Sequence, residues 1–208
     1  MNSTLAPFLR KLVLVFFDDI LVYNTSYEDH IQHLQCLSAV VHDWKIKMTK
    51  CEFAQQSISY LGHIISGASV ATNPQKVAAV VNWPIPTSVK EFRGFIGLAG
   101  YYRKFVCHFG ILPKPLTELL RKNTIFTWTS VHHESFLALK HALSSSLVLA
   151  LPNFSRPFSI ETDASGGGIG AVLAQDGHPL AYLSRALGPR SLGLSTYEKQ
   201  YMAVLMAI

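Results

Sequence analysis

Cysteine is scarce in this 208-residue chain: Cys36, Cys51 and Cys107 are odd in number, far apart, and form no CxxC or Cys/His ligand spacing. That excludes a disulfide framework and a structural zinc, and points to a reducing compartment. Long uncharged runs are missing too, none approaching the roughly 18 residues of a membrane span, so no membrane partner is expected. The apolar stretch near the N-terminus follows Arg10 and Lys11 too closely, carries Asp18 and Asp19, and lacks a small-residue cleavage site. No signal peptide is read there, and the chain is expected to be intracellular, in cytoplasm or nucleus. Charge is modest, 15% of residues with a net +5, which leans only weakly toward a polyanionic partner such as nucleic acid. Hydrophobic residues are abundant, 49%, enough to build one large core or two small ones.

Within that apolar supply, "LVLVFFDDILVY" sets two adjacent carboxylates, Asp18 and Asp19, among β-branched and aromatic residues. The pattern predicts two short strands meeting at a tight turn that presents both carboxylates at its tip. Two like charges in a nearly apolar setting cost on the order of several kcal/mol unless a cation neutralises them, and a pair of carboxylates suits a hard ion such as Mg²⁺. An ordinary Asp-containing turn is the competing reading.

Helical spacing of Ile31, Leu34, Leu37, Val41 and Trp44 predicts an amphipathic helix over 28–44 that covers the hairpin. "ISYLGHIIS" is a second strand pair bent at Gly62, and "SGASVATNP" breaks regular structure. Ser88 and Glu91 form a capping box that opens a helix through "EFRGFIGLAGYYRKF", on which Phe92, Phe95, Tyr101 and Tyr102 are read as core. "WTSVHHESFLALKHALSSS" is a further helix with Phe136, Leu139 and Leu143 on one stripe, ended by the loop "LALPNFSRP". Three strands then follow in "FSIETDASGGGIGAVLAQDGHPLAYLSRAL", turning at Gly166 to Gly168 and at Asp176-Gly177. A second capping box, Ser195 to Glu198, starts the last helix, and no stop signal precedes Ile208, as if the chain were cut inside an element.

"FFDDILVY" resembles the Phe/Tyr-x-Asp-Asp hairpin of reverse transcriptases. "KMTKCEF", "YLGHIIS", "NWPIPTSVKEFRGFIGLAGYYRKFV", the stretch from "FTWTSVHHE" through "IETDASGGGIGAVLAQ", and "STYEKQYMAVLMAI" follow in the order found in the Pol polyproteins of gypsy-type LTR retrotransposons. The resemblance covers essentially the whole chain. It implies an α/β (α+β) chain: a partial reverse transcriptase palm over 1–67, a thumb and connection-like helical region over 68–125, and a truncated ribonuclease H-like sheet with a helix over 126–208. It further implies Asp18 and Asp19 as palm metal ligands, with Phe16 in the place of the aromatic that begins the motif. Lys50 resembles a lysine that approaches the incoming triphosphate; a solvated lysine is the alternative. Tyr60, Leu61, Gly62 and His63 resemble the primer grip, with a plain core strand as the other reading. Arg93, Arg103 and Lys104, with Lys90, Lys114, Arg121 and Lys122, lie where the family contacts a template–primer duplex, or else form solvated faces.

Asp163 in "IETDASGGG" resembles the first carboxylate of the ribonuclease H fold, which uses four to hold two Mg²⁺ ions. The family pattern Tyr-Glu-Lys-Glu-Leu-Leu-Ala departs here to "YEKQYMA", placing neutral Gln200 at the metal position. Glu198 does not replace it: it belongs to the capping box, and residues two apart on a helix point about 200° apart. The fingers, a further palm Asp and the last two ribonuclease H carboxylates have no counterpart among these residues. The expectation is thus a piece of an RNA-directed DNA polymerase with a ribonuclease H region, whose parent uses Mg²⁺, an RNA template, an RNA/DNA hybrid and deoxynucleoside triphosphates. Alone it is expected to be inactive for want of further Pol segments. The alternatives are a nucleic-acid-binding remnant and a relic of a degenerate element without function.

Overall fold

A computed structural model describes residues 2–42, 44–122, 124–145 and 148–208. The chain divides into two compact units, Met1–Gly67 and Ala68–Ile208.

The first unit opens with α1 (Asn2–Leu5), followed by β1 (Val13–Phe16) and β2 (Asp19–Val22). These strands pair antiparallel with Phe16 opposite Asp19, so the turn consists of Phe17 and Asp18 alone. Phe17 takes the left-handed region at φ 52°, the sense that matches the twist of a two-residue hairpin. α2 (Tyr27–Val40) begins where the Ser26 hydroxyl accepts the Asp29 amide, with Glu28 and Asp29 favourably placed at the positive end of the helix. It ends earlier than its apolar spacing predicts, where the β-branched Val40 and Val41 meet. Val41 and Trp44 nonetheless close on the same core as Leu37, Val13 and Leu5, while Ile31 is exposed. After a 3-10 turn at Met48–Lys50, β3 (Ser57–Tyr60) and β4 (His63–Ser66) form a second hairpin.

The second unit begins with β5 (Ser69–Thr72) and α3 (Pro74–Val81), which the Asn73 carboxamide caps. β5 lies inside "SGASVATNP", where a break was expected. One of its partners, β6 (Leu149–Ala150), comes from the stretch expected to be loop. α4 (Val89–Tyr101), α5 (Lys114–Glu118) and α6 (Ser130–Ser144) bury Phe92, Phe95, Tyr102, Leu116, Phe136, Leu139 and Leu143 in one aromatic-rich core. Tyr101, expected in that core, is 51% exposed.

The box expected at α4 is only half formed. Ser88 accepts the Glu91 amide, but the Glu91 carboxylate turns to the Thr87 amide and hydroxyl, at 2.9 and 3.0 Å. Those hydrogen bonds hold the Glu91 carboxyl below its usual range. At α6 the reciprocal partner is an imidazole: His132 Nδ1 accepts the Thr129 amide.

β7 (Ser159–Ala164), β8 (Gly168–Gln175) and β9 (His178–Ala186) form an antiparallel sheet in that order. The β8–β9 turn is Asp176-Gly177, both at positive φ as a type I′ hairpin requires. α7 (Pro189–Leu192) and α8 (Thr196–Ala207) follow. The box at α8 forms as expected, with the Glu198 carboxylate accepting the Ser195 amide at 2.8 Å and Ser195 Oγ accepting the Glu198 amide. Ala203 of α8 packs in a cluster with Ile169 and Leu187.

Candidate nucleic-acid and carboxylate sites

In the first unit Asp18 sits in the turn, while Asp19 is the first residue of β2 rather than part of the tip. Both carboxylates are exposed. The desolvation cost inferred from the apolar flanks therefore does not arise, because the hairpin end projects them into water. Among the described residues neither carboxylate has an ion-pair partner. Phe16 is half exposed and meets the 82% exposed Phe17 edge to face, with ring centroids 4.8 Å apart.

The second hairpin turns through Leu61 and Gly62, at φ 49° and 74°, with Tyr60 paired to His63. A glycine adopts that conformation freely, whereas Leu61 carries the left-handed strain. Burial pushes the Tyr60 phenol up, and the Asp19 carboxylate raises it further. Tyr60 thus lies within electrostatic reach of the Asp19 carboxylate: the fold brings together two of the residues singled out from sequence. Tyr60, Leu61, Gly62 and His63 are all half-buried, and Lys50, closing the 3-10 turn, is exposed.

In the second unit Arg93, Arg103 and Lys104 are exposed, as are Lys90 and Lys122; Lys114 is half-buried and Arg121 pairs with Glu118 at 3.7 Å. Lys90, Arg93, Gly97 and Tyr101 follow one another at three- and four-residue steps, so they share the outward face of α4. A Cβ at Gly97 would meet nothing within 4 Å, which leaves that face smooth between two cations and an aromatic ring. Tyr101 and Gly97 were not singled out as site residues; the signal was their helical step from Arg93, obscured because Tyr101 also continues the aromatic pattern of the core.

Asp163 is exposed on β7, opposite Gly170, which pairs in turn with Ser184. Side chains in one cross-strand row share a face of the sheet. The segment around Gly110 rests on that face: its amide donates to Ser184 Oγ at 2.6 Å, and a Cβ there would collide with the Ser184 carbonyl. Burial pushes the Cys107 thiol up; an amide hydrogen bond from His108 opposes this, and the Asp163 carboxylate adds to it. Gln200 is exposed on α8. Among the described residues no group of three or more His, Cys, Asp or Glu side chains could hold a metal ion. No helix among them is long and apolar enough to cross a membrane.

Two family profiles match: reverse transcriptase (RNA-dependent DNA polymerase) over residues 1–65, and the RNase H-like domain found in reverse transcriptase over residues 128–208. The retrovirus-related Pol polyprotein from transposon 297 of Drosophila melanogaster is 40% identical, aligning with 100% of this chain and 20% of its own length. The corresponding protein from transposon gypsy of the same organism is 30% identical over 100% of this chain and 21% of its own. The chain thus spans about a fifth of these curated relatives. A foamy viral protease-reverse transcriptase in complex with RNA/DNA hybrid has the same fold, with a TM-score of 0.88 at 21% identity, over 99% of this chain and 29% of that one. Mixed α and β elements in this order, matched along the entire length, lead to one assignment: the chain belongs to the retrotransposon Pol polyproteins and carries reverse transcriptase and RNase H-like segments of them.

Proposed function

We propose that this chain supplies the palm hairpin, the primer-holding hairpin and a duplex-contacting helix of an RNA-directed DNA polymerase. The observation that carries the reading is the solvent-facing Asp18–Asp19 pair with the Tyr60 hairpin inside its electrostatic reach. Two adjacent, cation-free carboxylates fit a hard divalent ion, and Asp18 and Asp19 would hold magnesium. Such an ion, when bound, offsets charge developing on phosphate oxygens during nucleotidyl transfer.

The chain's own residues act around that point. Tyr60 to His63 hold a primer end, and the Phe16 ring packs beside it. Lys50 attracts the triphosphate of an incoming deoxynucleotide. The α4 face, with Lys90, Arg93 and Tyr101 about the smooth Gly97, lies against a template–primer duplex, and Arg103 and Lys104 neutralise neighbouring phosphates.

The RNase H-like sheet does not fit a two-metal centre. Among the described residues Asp163 belongs to no group of three or more ligating side chains, and position 200 offers a neutral amide, a poor ligand for a hard cation. We therefore expect the 208-residue polypeptide by itself to bind an RNA/DNA duplex in a salt-dependent manner, without extending a primer or cleaving a hybrid. Primer extension and hybrid cleavage with Mg²⁺, alongside duplex binding, test this. Incorporation that disappears in Asp18→Asn and Asp19→Asn variants would overturn the inactivity, and absence of duplex binding at low salt would overturn the reading as a whole.

A further inference from the structure

In the first unit, the stretch from Trp44 to Phe53 carries three lysines, Lys45, Lys47 and Lys50, against one acid, Glu52. All three lysines are exposed, and among the described residues none has an ion-pair partner. Between and beside them Ile46, Met48 and Phe53 are exposed as well, at 48%, 63% and 44%.

Scattered lysines on a surface are ordinarily just solvated, but this segment is held in place. Trp44 packs against the core of Leu37 and Val41, and its amide donates to the Val41 carbonyl at 2.8 Å. Lys50 and Cys51 amides donate to the Lys47 and Met48 carbonyls. At the far end the Ala54 amide donates to His30 Nε2 at 3.3 Å, tying the segment to α2. A backbone already held in place loses little further freedom when the side chains it displays bind, so only their rotamers remain to be ordered.

We propose that Lys45, Lys47 and Lys50 form a contact surface for the phosphate backbone of a single-stranded nucleic acid, with Ile46, Met48 and Phe53 presenting apolar surface to its unpaired bases. This rests on the reading above that the chain handles nucleic acid, and adds a strand-type preference and a site separate from α4. A duplex offers phosphates and groove edges and would leave the three apolar side chains without partners. A single strand offers base faces as well: the Phe53 ring can stack on one, and Ile46 and Met48 give apolar contact beside it, while the lysines track the backbone. Lys50 gains a backbone contact in addition to the triphosphate.

Fluorescence anisotropy of the full chain with a labelled single-stranded RNA and with an RNA/DNA duplex, over a salt series, decides the matter. Lys45→Gln/Lys47→Gln is expected to weaken single-strand binding about tenfold and to reduce the log–log salt slope by about 1.4, near 0.7 for each lost phosphate contact. Duplex binding is expected to hold in that variant and to fall instead in Arg93→Gln. Coincident thermal melts of variant and parent show that any loss is not unfolding, and Lys45→Glu/Lys47→Glu is expected to deepen it.

Unchanged single-strand affinity, or equal loss on both ligands, overturns the proposal while leaving the polymerase reading intact. Loss of binding to phosphatidylserine vesicles without loss of RNA binding overturns it in favour of a membrane surface. A parent chain that binds neither nucleic acid overturns both readings.

Discussion

The two units place their candidate carboxylates in opposite ways. Asp18 and Asp19 occupy the end of a two-residue hairpin whose turn rests on a left-handed phenylalanine, and both stand in water. Asp163 lies within the ladder of a three-stranded sheet, and its face is shared with the docked Gly110 segment. A hairpin end frees adjacent side chains from the alternation of a strand, so two neighbours can serve one ion. A residue paired within a strand is committed to one face and depends on other elements for company. The supporting cores differ as well: the first unit closes on Leu5, Val13, Leu37 and Val41, the second on an aromatic-rich cluster.

Phe95→Ala is expected to break that contrast most severely. Its ring is fully buried 4.6 Å from Phe136, and truncation should cost about 3–5 kcal/mol in urea unfolding of the second unit, against about 2 kcal/mol for Leu37→Ala in the first. Gly110→Ala comes next. Its new methyl meets the Ser184 backbone, which cannot yield as a flexible side chain would, so a loss of about 1–3 kcal/mol and weaker amide protection along β9 are expected.

Gln175→Ala should cost a similar or smaller amount, about 1–3 kcal/mol. The buried carboxamide accepts the Asn153 amide at 2.8 Å and shares its own protons among the Asn153, Arg156 and Pro157 carbonyls. Hydrogen exchange over 151–158 would report the loop set loose; protection equal to the parent's would show that the Arg156–Asp176 pair alone suffices.

Gly97→Ala sharpens the comparison in the other sense. With open space around the new methyl it should raise helix stability by up to about 1 kcal/mol, yet weaken duplex binding by roughening the α4 face. The smallest effect is a pH dependence at α8. Hydrogen bonds from the Ser195 amide and hydroxyl hold the Glu198 carboxyl below its usual range. A depressed folded value means that the cap contributes fully above the unfolded carboxylate range and is lost as pH falls through the folded value. Helicity of α8 by NMR should fray in that window, and Glu198→Gln should remove the dependence.

Much of the architecture was legible because it is local. The stripe of Phe136, Leu139 and Leu143, the Asp176-Gly177 turn and the Ser195–Glu198 box each depend on neighbours a few residues away, and each appears as the pattern implies. β6 was hidden because a two-residue strand has no signature without β5, some eighty residues away along the chain. At Ser88 the residue types were right but the partner was not: Thr87 offers both an amide and a hydroxyl, and Glu91 takes those two in place of one. The site followed the same division. The Asp18–Asp19 motif and its place at a hairpin end could be read directly, but not the approach of Tyr60.

The order of amino acids by itself determined the family, the short-range turns and caps, and the neutral residue at position 200, because these depend on covalent neighbours and side-chain chemistry alone. Only the tertiary structure decided that Tyr60 stands in the field of Asp19, and that Gly110 lies against the Asp163 face. Each of these is a distance between residues far apart along the chain, set by packing that no local periodicity encodes.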